Sequence, residues 1–281
     1  MNFSKALLSI LSLQTATTVT VQAVGVRGSD SLKYDGRTLR PFEESCTAVV
    51  AVMDYGGKEA DKKFLECETP SGNSYTVPVT EDWIEEKIAI GELKSGVTKL
   101  DVTGASFDKT TRVLTLPSGP PGLVNKANRE RNLATVTGNK SVLVVRVIAA
   151  DGQTTPDESF LSDSVFGTSG DPVNLKSQYA ACSADKLNFV PATASGIVNG
   201  ATTVTVSTLT SEGDSVMNSA IVEALNTKFG VSSPSQLADH VMFCLPPNTM
   251  SGIAYAWVNS WRSVYSDYWC TYVSGQVHEV S

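Results

Sequence analysis

The sequence predicts an α/β (α+β) protein in which a mixed, twisted sheet is preceded by a small β-rich region. Three observations predict this. Residues 24–137 alternate between apolar and polar runs broken by Pro and Gly, residues 142–149 are almost all β-branched or apolar, and an amphipathic helix begins at Asp214. A β-branched run without alternation is typical of a strand covered on both faces. We therefore expect a signal peptide at 1–23, a β-rich, pro-region-like domain at 24–137 and an α/β domain at 138–281.

The first 23 residues have the pattern of a secretory signal peptide. Lys5 precedes an apolar stretch from Ala6 to Leu13, and Val21-Gln22-Ala23 provides the small residues of a cleavage site. The apolar stretch is shorter than the roughly 20 residues of a membrane-spanning helix. We expect a secreted, extracellular protein with no mature membrane anchor.

Charge and cysteine content narrow the class of protein. A net charge of −7 argues against a nucleic-acid partner, because phosphate binding needs clustered Lys and Arg. Five cysteines in an exported chain indicate disulfides. Cys46 and Cys67 could join neighbouring strands, whereas Cys182, Cys244 and Cys270 form an odd set, one of which is left to pair with a residue beyond Ser281.

The N-terminal region is predicted to contain short strands and one helix. Thr80 is a suitable N-cap, because two acidic residues follow it in the first turn, and Gly91 ends the helix. Pro78 confines the preceding strand to a sheet edge. Strands are predicted at 46–53, 64–67, 75–79, 97–102 and 112–116.

A linker is predicted between the two regions. Pro117–Gly122 marks the end of a folded unit, and the polar, basic stretch Asn125–Asn132 follows it. Processing near Arg129 or Arg131 is one reading, and an ordinary solvated loop is the other. Asn139-Lys140-Ser141 is an acceptor pattern for N-glycosylation.

The second region combines strands with one long helix. From Asp214 the helix carries one apolar stripe and ends before Gly230. Arg146 lies inside the β-branched run and needs either a partner or a strand-edge position, and we expect a structural ion pair rather than a catalytic role. The remaining predicted elements are a short capped helix from 233 and strands at 241–245 and 253–258.

A series of sequence blocks resembles the gametolysin family of secreted zinc metallopeptidases. The C-terminal series ends in Gln276-Val277-His278-Glu279, and further blocks occur upstream in the same order, so that the resemblance covers about half of the chain. The blocks are 142–147, 161–167, 175–179, 182–183, 240–247, 252–261, 263–265, 269–270 and 276–279.

The resemblance implies a metzincin-like catalytic domain with Zn²⁺ as cofactor. His278 would be the first zinc ligand and Glu279 the general base of a His-Glu-x-x-His helix, in which histidines at i and i+4 share one face. Val280-Ser281 departs from the family's usual Ile-Gly pair, and two further histidine ligands are expected beyond Ser281. The implied substrates are extracellular matrix or cell-wall proteins and glycoproteins. The polypeptide as given would be an incomplete, inactive fragment.

The family resemblance also places a substrate cleft beside the strand at 253–258. An edge strand at this place could pair with an extended peptide substrate.

Alternatives to these assignments remain. His240 is expected to have a structural or surface role, Asp267 has no ligand-like spacing to His278, and no serine is marked as activated. Cys46 could cap the zinc as a thiolate in a latent enzyme, although no switch motif surrounds it and a disulfide is favoured. The alternative function is a non-catalytic, secreted matrix or surface binding protein.

Overall fold

The computed structural model describes residues 32–34, 37–57, 59–124 and 136–272. The predicted signal peptide, the processing site near Arg129 or Arg131, and the predicted site residues His278 and Glu279 lie outside these ranges. The described residues all belong to one compact unit. None of the helices in the described ranges has the length and apolarity that a bilayer span requires.

The described residues up to Val124 are β-rich and include one short helix, as predicted. Their elements are β1 (Leu32–Tyr34), β2 (Arg37–Pro41), β3 (Cys46–Asp54), β4 (Lys62–Glu68), β5 (Ser74–Val77), α1 (Glu81–Ala89), β6 (Lys99–Asp101), β7 (Ser106–Asp108), β8 (Leu114–Thr115) and β9 (Gly122–Val124). The predicted N-cap is confirmed, because the Thr80 hydroxyl accepts a hydrogen bond from the Trp83 amide at 3.3 Å.

The second half alternates strands and helices. Its elements are β10 (Gly138–Ile148), α2 (Glu158–Phe166), α3 (Leu175–Cys182), β11 (Leu187–Pro191), β12 (Ala201–Thr205), α4 (Asp214–Phe229), β13 (His240–Cys244), β14 (Ala254–Trp257), β15 (Arg262–Tyr265) and α5 (Asp267–Tyr272). Short 3-10 turns cover Thr210–Glu212 and Pro234–Gln236.

A large mixed sheet contains most of the strands, in agreement with the predicted fold class. Its order is β11-β10-β13-β15-β14-β3-β4-β5, and β12 also pairs with β10. Strands β10 to β13 and β15 are parallel to one another, whereas β14 is antiparallel to both β15 and β3. The sheet therefore continues from the first half of the chain into the second. A separate sheet has the order β1-β2-β7-β8.

Helix α4 packs on one face of this sheet through its predicted stripe. Met217, Ile221 and Leu225 are fully buried, and Gly230 ends the helix in the left-handed conformation at φ 66°. Their spacing of four residues puts them on one side of the helix. The other face of β10 and β13 is covered by α2 and α5, so β10 is buried on both faces, as predicted.

Four of the five cysteines form disulfides. Cys46–Cys67 joins the paired strands β3 and β4, as expected. Cys244 and Cys270 pair with each other and connect β13 to α5, and Cys182 is free and exposed. The odd cysteine is therefore Cys182, and Cys46 is not available as a thiolate zinc ligand.

The partner of Arg146 in the structure differs from the predicted one. Its Nε donates a hydrogen bond to the carbonyl oxygen of Pro156 at 2.9 Å, so among the described residues a backbone oxygen takes the place of the expected ion pair.

Candidate functional site

A cleft of about 820 Å³ lies at the carboxyl ends of the parallel strands β13 and β15. Its walls come from the loop 246–253, which connects β13 to β14, and from the first turns of α5. Tyr55 and Gly56, in the turn after β3, line it from the first half of the chain. Ligands of open α/β sheets usually bind outside the carboxyl ends of parallel strands, and this cleft is therefore the leading candidate site.

Helix α5 is fixed at the rim of the cleft by two kinds of contact. The backbone amide and the hydroxyl of Thr155 donate hydrogen bonds to the Asp267 carboxylate at 2.6 and 2.8 Å. The Cys244–Cys270 disulfide holds the helix to the end of β13. Asp267 thus holds a neighbouring segment in place.

Strand β14 does not lie at a sheet edge, so the condition for pairing with an extended peptide is not met. Tyr255 lies opposite Val264 of β15 on one side and opposite Met53 of β3 on the other. Both rows of backbone hydrogen-bonding groups are therefore occupied. An extended peptide cannot pair with β14 while β3 is in place.

His240 is held inside the strand layer. Its Nε2 lies 2.8 Å from the Ser263 hydroxyl, and burial lowers the pKa of His240 to about 4. The imidazole is therefore neutral at pH 7. Within the described ranges no carboxylate hydrogen-bonds to this imidazole, so the pair lacks the third member of a Ser-His-Asp triad. This geometry fits a structural role.

The described residues do not form a zinc site. In the ranges 32–34, 37–57, 59–124 and 136–272, no three His, Cys, Asp or Glu side chains are grouped so that they could hold a metal ion. His278 and Glu279, the predicted ligand and base, lie beyond the end of α5 at Tyr272.

Sequence reasoning missed a polar network that connects the first half to the second. Trp257 donates its indole hydrogen bond to Glu66 at 2.7 Å, and Trp261 donates to Glu68 at 2.8 Å. The Arg262 guanidinium lies over the Trp257 ring at 3.8 Å and is 1% exposed. The available signal was Arg262, which directly follows Trp261 and begins the short strand β15, because an arginine needs partners when it is buried.

The pKa of Glu66 in this network is subject to opposing effects. Burial raises the pKa of Glu66, while Arg262 acts in the opposite direction together with hydrogen bonds from Trp257 and Ser74. Arg262 also donates hydrogen bonds to the Gly72 carbonyl at 3.4 Å and to the Ser74 hydroxyl. The network therefore joins β4 and the β4–β5 turn to β14 and β15.

Comparisons with models of protein families, with curated proteins and with solved structures find no match to this chain.

Proposed function

We propose that the chain is the leading part of a secreted zinc metalloendopeptidase of the gametolysin type. In this proposal His278 is the first zinc ligand and Glu279 is the general base that activates water. The substrates would be proteins or glycoproteins of an extracellular matrix or cell wall. The sequence blocks that resemble the family carry the proposal, and among them the His278-Glu279 pair carries its chemistry.

Three structural observations support this proposal. The cleft lies at the carboxyl ends of β13 and β15, and its rim is formed by α5, the last described element before His278-Glu279. A mixed sheet with a long helix on one face also agrees with the α/β catalytic domain that the resemblance implies. The metzincin-like fold and secretion through residues 1–23 both belong to the proposal. The two disulfides are typical of an oxidising compartment and agree with export.

The number of ligands determines what should be measured. A catalytic zinc needs three protein ligands and one position open for water. We therefore expect the polypeptide that ends at Ser281 to bind zinc weakly and to cleave nothing. We expect the product of the complete transcript to hold one zinc per chain after dialysis and to hydrolyse a gelatin or cell-wall glycoprotein substrate.

A pair of glutamate variants tests the assignment. Glu279→Ala should abolish hydrolysis while zinc remains bound, because the general base does not hold the metal. Glu85→Ala, which changes an exposed glutamate of α1, should leave hydrolysis unchanged. If the complete product binds no stoichiometric zinc and cleaves no protein, the proposal is wrong and the alternative of a non-catalytic matrix or surface binding protein takes its place.

A further inference from the structure

The contact between residues 37–124 and 136–272 is built on continuous strand pairing. Strand β14 lies antiparallel to β3, with Ala254 opposite Asp54 and Trp257 opposite Ala51. Backbone hydrogen bonds extend this pairing at both ends, from the Ile253 amide to the Asp54 carbonyl at 3.0 Å and from the Val258 amide to the Val50 carbonyl at 2.9 Å. Separation of the halves would leave a row of unpaired backbone groups on β14, which favours pairing with another chain.

The two halves also share one hydrophobic core. Val49, Ala51 and Met53 of β3 belong to the same buried cluster as Phe243 and Val264 of the second half. All five side chains are at most 9% exposed. Separation of the two halves would expose this apolar surface to water, and the cost of that exposure opposes dissociation.

The polar network crosses the same contact. The two tryptophan indoles and the Arg262 guanidinium belong to the second half, whereas Glu66, Glu68 and Ser74 belong to the first. Separation would leave the buried Arg262 without these partners. Groups that are buried and hydrogen-bonded in this way are costly to leave unpaired.

The backbones of the two halves approach closely at two glycines. A Cβ on Gly252 would lie 2.8 Å from Met53 Cγ, and a Cβ on Gly96 would overlap the carbonyl oxygen of Asn259. Neither disulfide connects the halves, because Cys46–Cys67 lies within the first and Cys244–Cys270 lies within the second. The association therefore depends on non-covalent contacts and on the connecting chain.

We propose that residues 37–124 stay bound to residues 136–272 after the chain is cut between them. The first half is then a permanent partner that completes the sheet and covers β14, and it is not a segment that is released by processing. The surface formed by β14, Trp257, Trp261 and Arg262 binds this chain's own N-terminal half. This proposal does not depend on the proposed peptidase function, because it concerns association only.

A cut introduced into the full chain tests the proposal. Residues 127–133 are replaced by the recognition sequence of a site-specific protease, and complete cutting is verified on a denaturing gel. In size-exclusion chromatography under native conditions, both fragments should elute together at the volume of the uncut protein. A tag joined to the N-terminus by the same recognition sequence is the control and should be released. Elution of a folded N-terminal fragment by itself would refute the proposal.

Amide hydrogen exchange on the uncut protein provides a second, independent test. The amides of Ile253 and Val258 donate hydrogen bonds to backbone carbonyls of β3. The amides of Val241 and Leu245 donate to the carbonyls of Trp261 and Tyr265, at the two ends of β15. Because β14 is proposed to be permanently covered, protection at the first pair should lie within about tenfold of that at the second. Exchange of Ile253 and Val258 at the rate of an open strand edge, with Val241 and Leu245 protected, would contradict the proposal.

Discussion

Replacing Arg262 with methionine should destabilise the protein strongly, and the structure indicates by how much. The side chain is 1% exposed and its guanidinium lies 3.8 Å from the centre of the Trp257 ring. A desolvated cation–π contact contributes about 2 kcal/mol. Arg262 also lowers the pKa of the buried Glu66, and loss of a charge that offsets a buried carboxylate costs about 3–5 kcal/mol. These contributions overlap, and we therefore expect the free energy of unfolding to fall by about 3–5 kcal/mol.

The deficit of Arg262→Met should depend on pH through Glu66. Burial already raises the pKa of Glu66 above its usual value, and Arg262 opposes that shift. A raised carboxyl pKa in the folded state means that ionisation reduces stability as pH rises. Without Arg262 this pKa rises further, so the variant loses more stability at pH 7.5 than at pH 5. Adding Glu66→Gln should recover part of the loss at pH 7.5 by removing the buried charge.

Urea unfolding with the disulfides intact measures both effects. With an m-value of about 3 kcal/mol/M, the expected loss corresponds to a midpoint shift of about 1–1.7 M. Arg40→Met, which changes an exposed arginine of β2, should change the free energy of unfolding by less than about 0.5 kcal/mol. A loss below about 1 kcal/mol for Arg262→Met, or a loss of equal size at pH 5 and pH 7.5, would refute the reasoning.

Three further predictions address the backbone, a titrating group and the cysteines. Gly96→Ala should lower the free energy of unfolding by about 3 kcal/mol, because φ is 75° and the new Cβ overlaps the Asn259 carbonyl. Gly57→Ala is the control, because Gly57 has φ 72° but lies in open space, and it should cost only about 1 kcal/mol in the same urea assay. Because the pKa of His240 is lowered to about 4, the free energy of unfolding should fall by up to about 3 kcal/mol as pH falls from 6.5 to 4. His240→Gln should flatten this pH dependence in thermal unfolding. An unchanged slope would exclude His240 as its source. Iodoacetamide without reductant should label Cys182 alone, as seen by mass spectrometry, and labelling of a second cysteine would contradict the disulfide pairing.

Features with a local signature could be predicted from the sequence. Helix α4 has apolar residues at 217, 221 and 225 followed by Gly230, and all of these act as predicted. The N-cap at Thr80 and the continuous burial of β10 were likewise predictable, because periodicity, capping and composition act within a few residues. Cys46 and Cys67 were expected to join neighbouring strands for the same reason.

Features that depend on distant pairing could not be predicted in this way. Ala254 and Asp54 are register partners although they are 200 positions apart in the chain, and periodicity specifies only which residues share a face. The alternation in 253–258 correctly indicated a strand but carried no information about its neighbours. Pairing of this strand with an extended peptide required an edge position, which β14 does not have. The predicted zinc ligand and base lie outside the described residues and stay predictions.

The position of β3 restricts how a peptidase with this fold could bind its substrate. As long as β3 is paired with β14, a peptide cannot extend the sheet at β14. The cleft near α5, lined by the loop 246–253 and by Tyr55, stays open to a substrate. If the first half stays bound after cutting, substrate must enter this cleft without strand pairing to β14. If it is released, the same edge becomes free for an extended peptide, and hydrolysis by the complete product should begin only after the cut. Association and hydrolysis measured on the same cut sample therefore distinguish a failure of the retention proposal from a failure of the peptidase proposal.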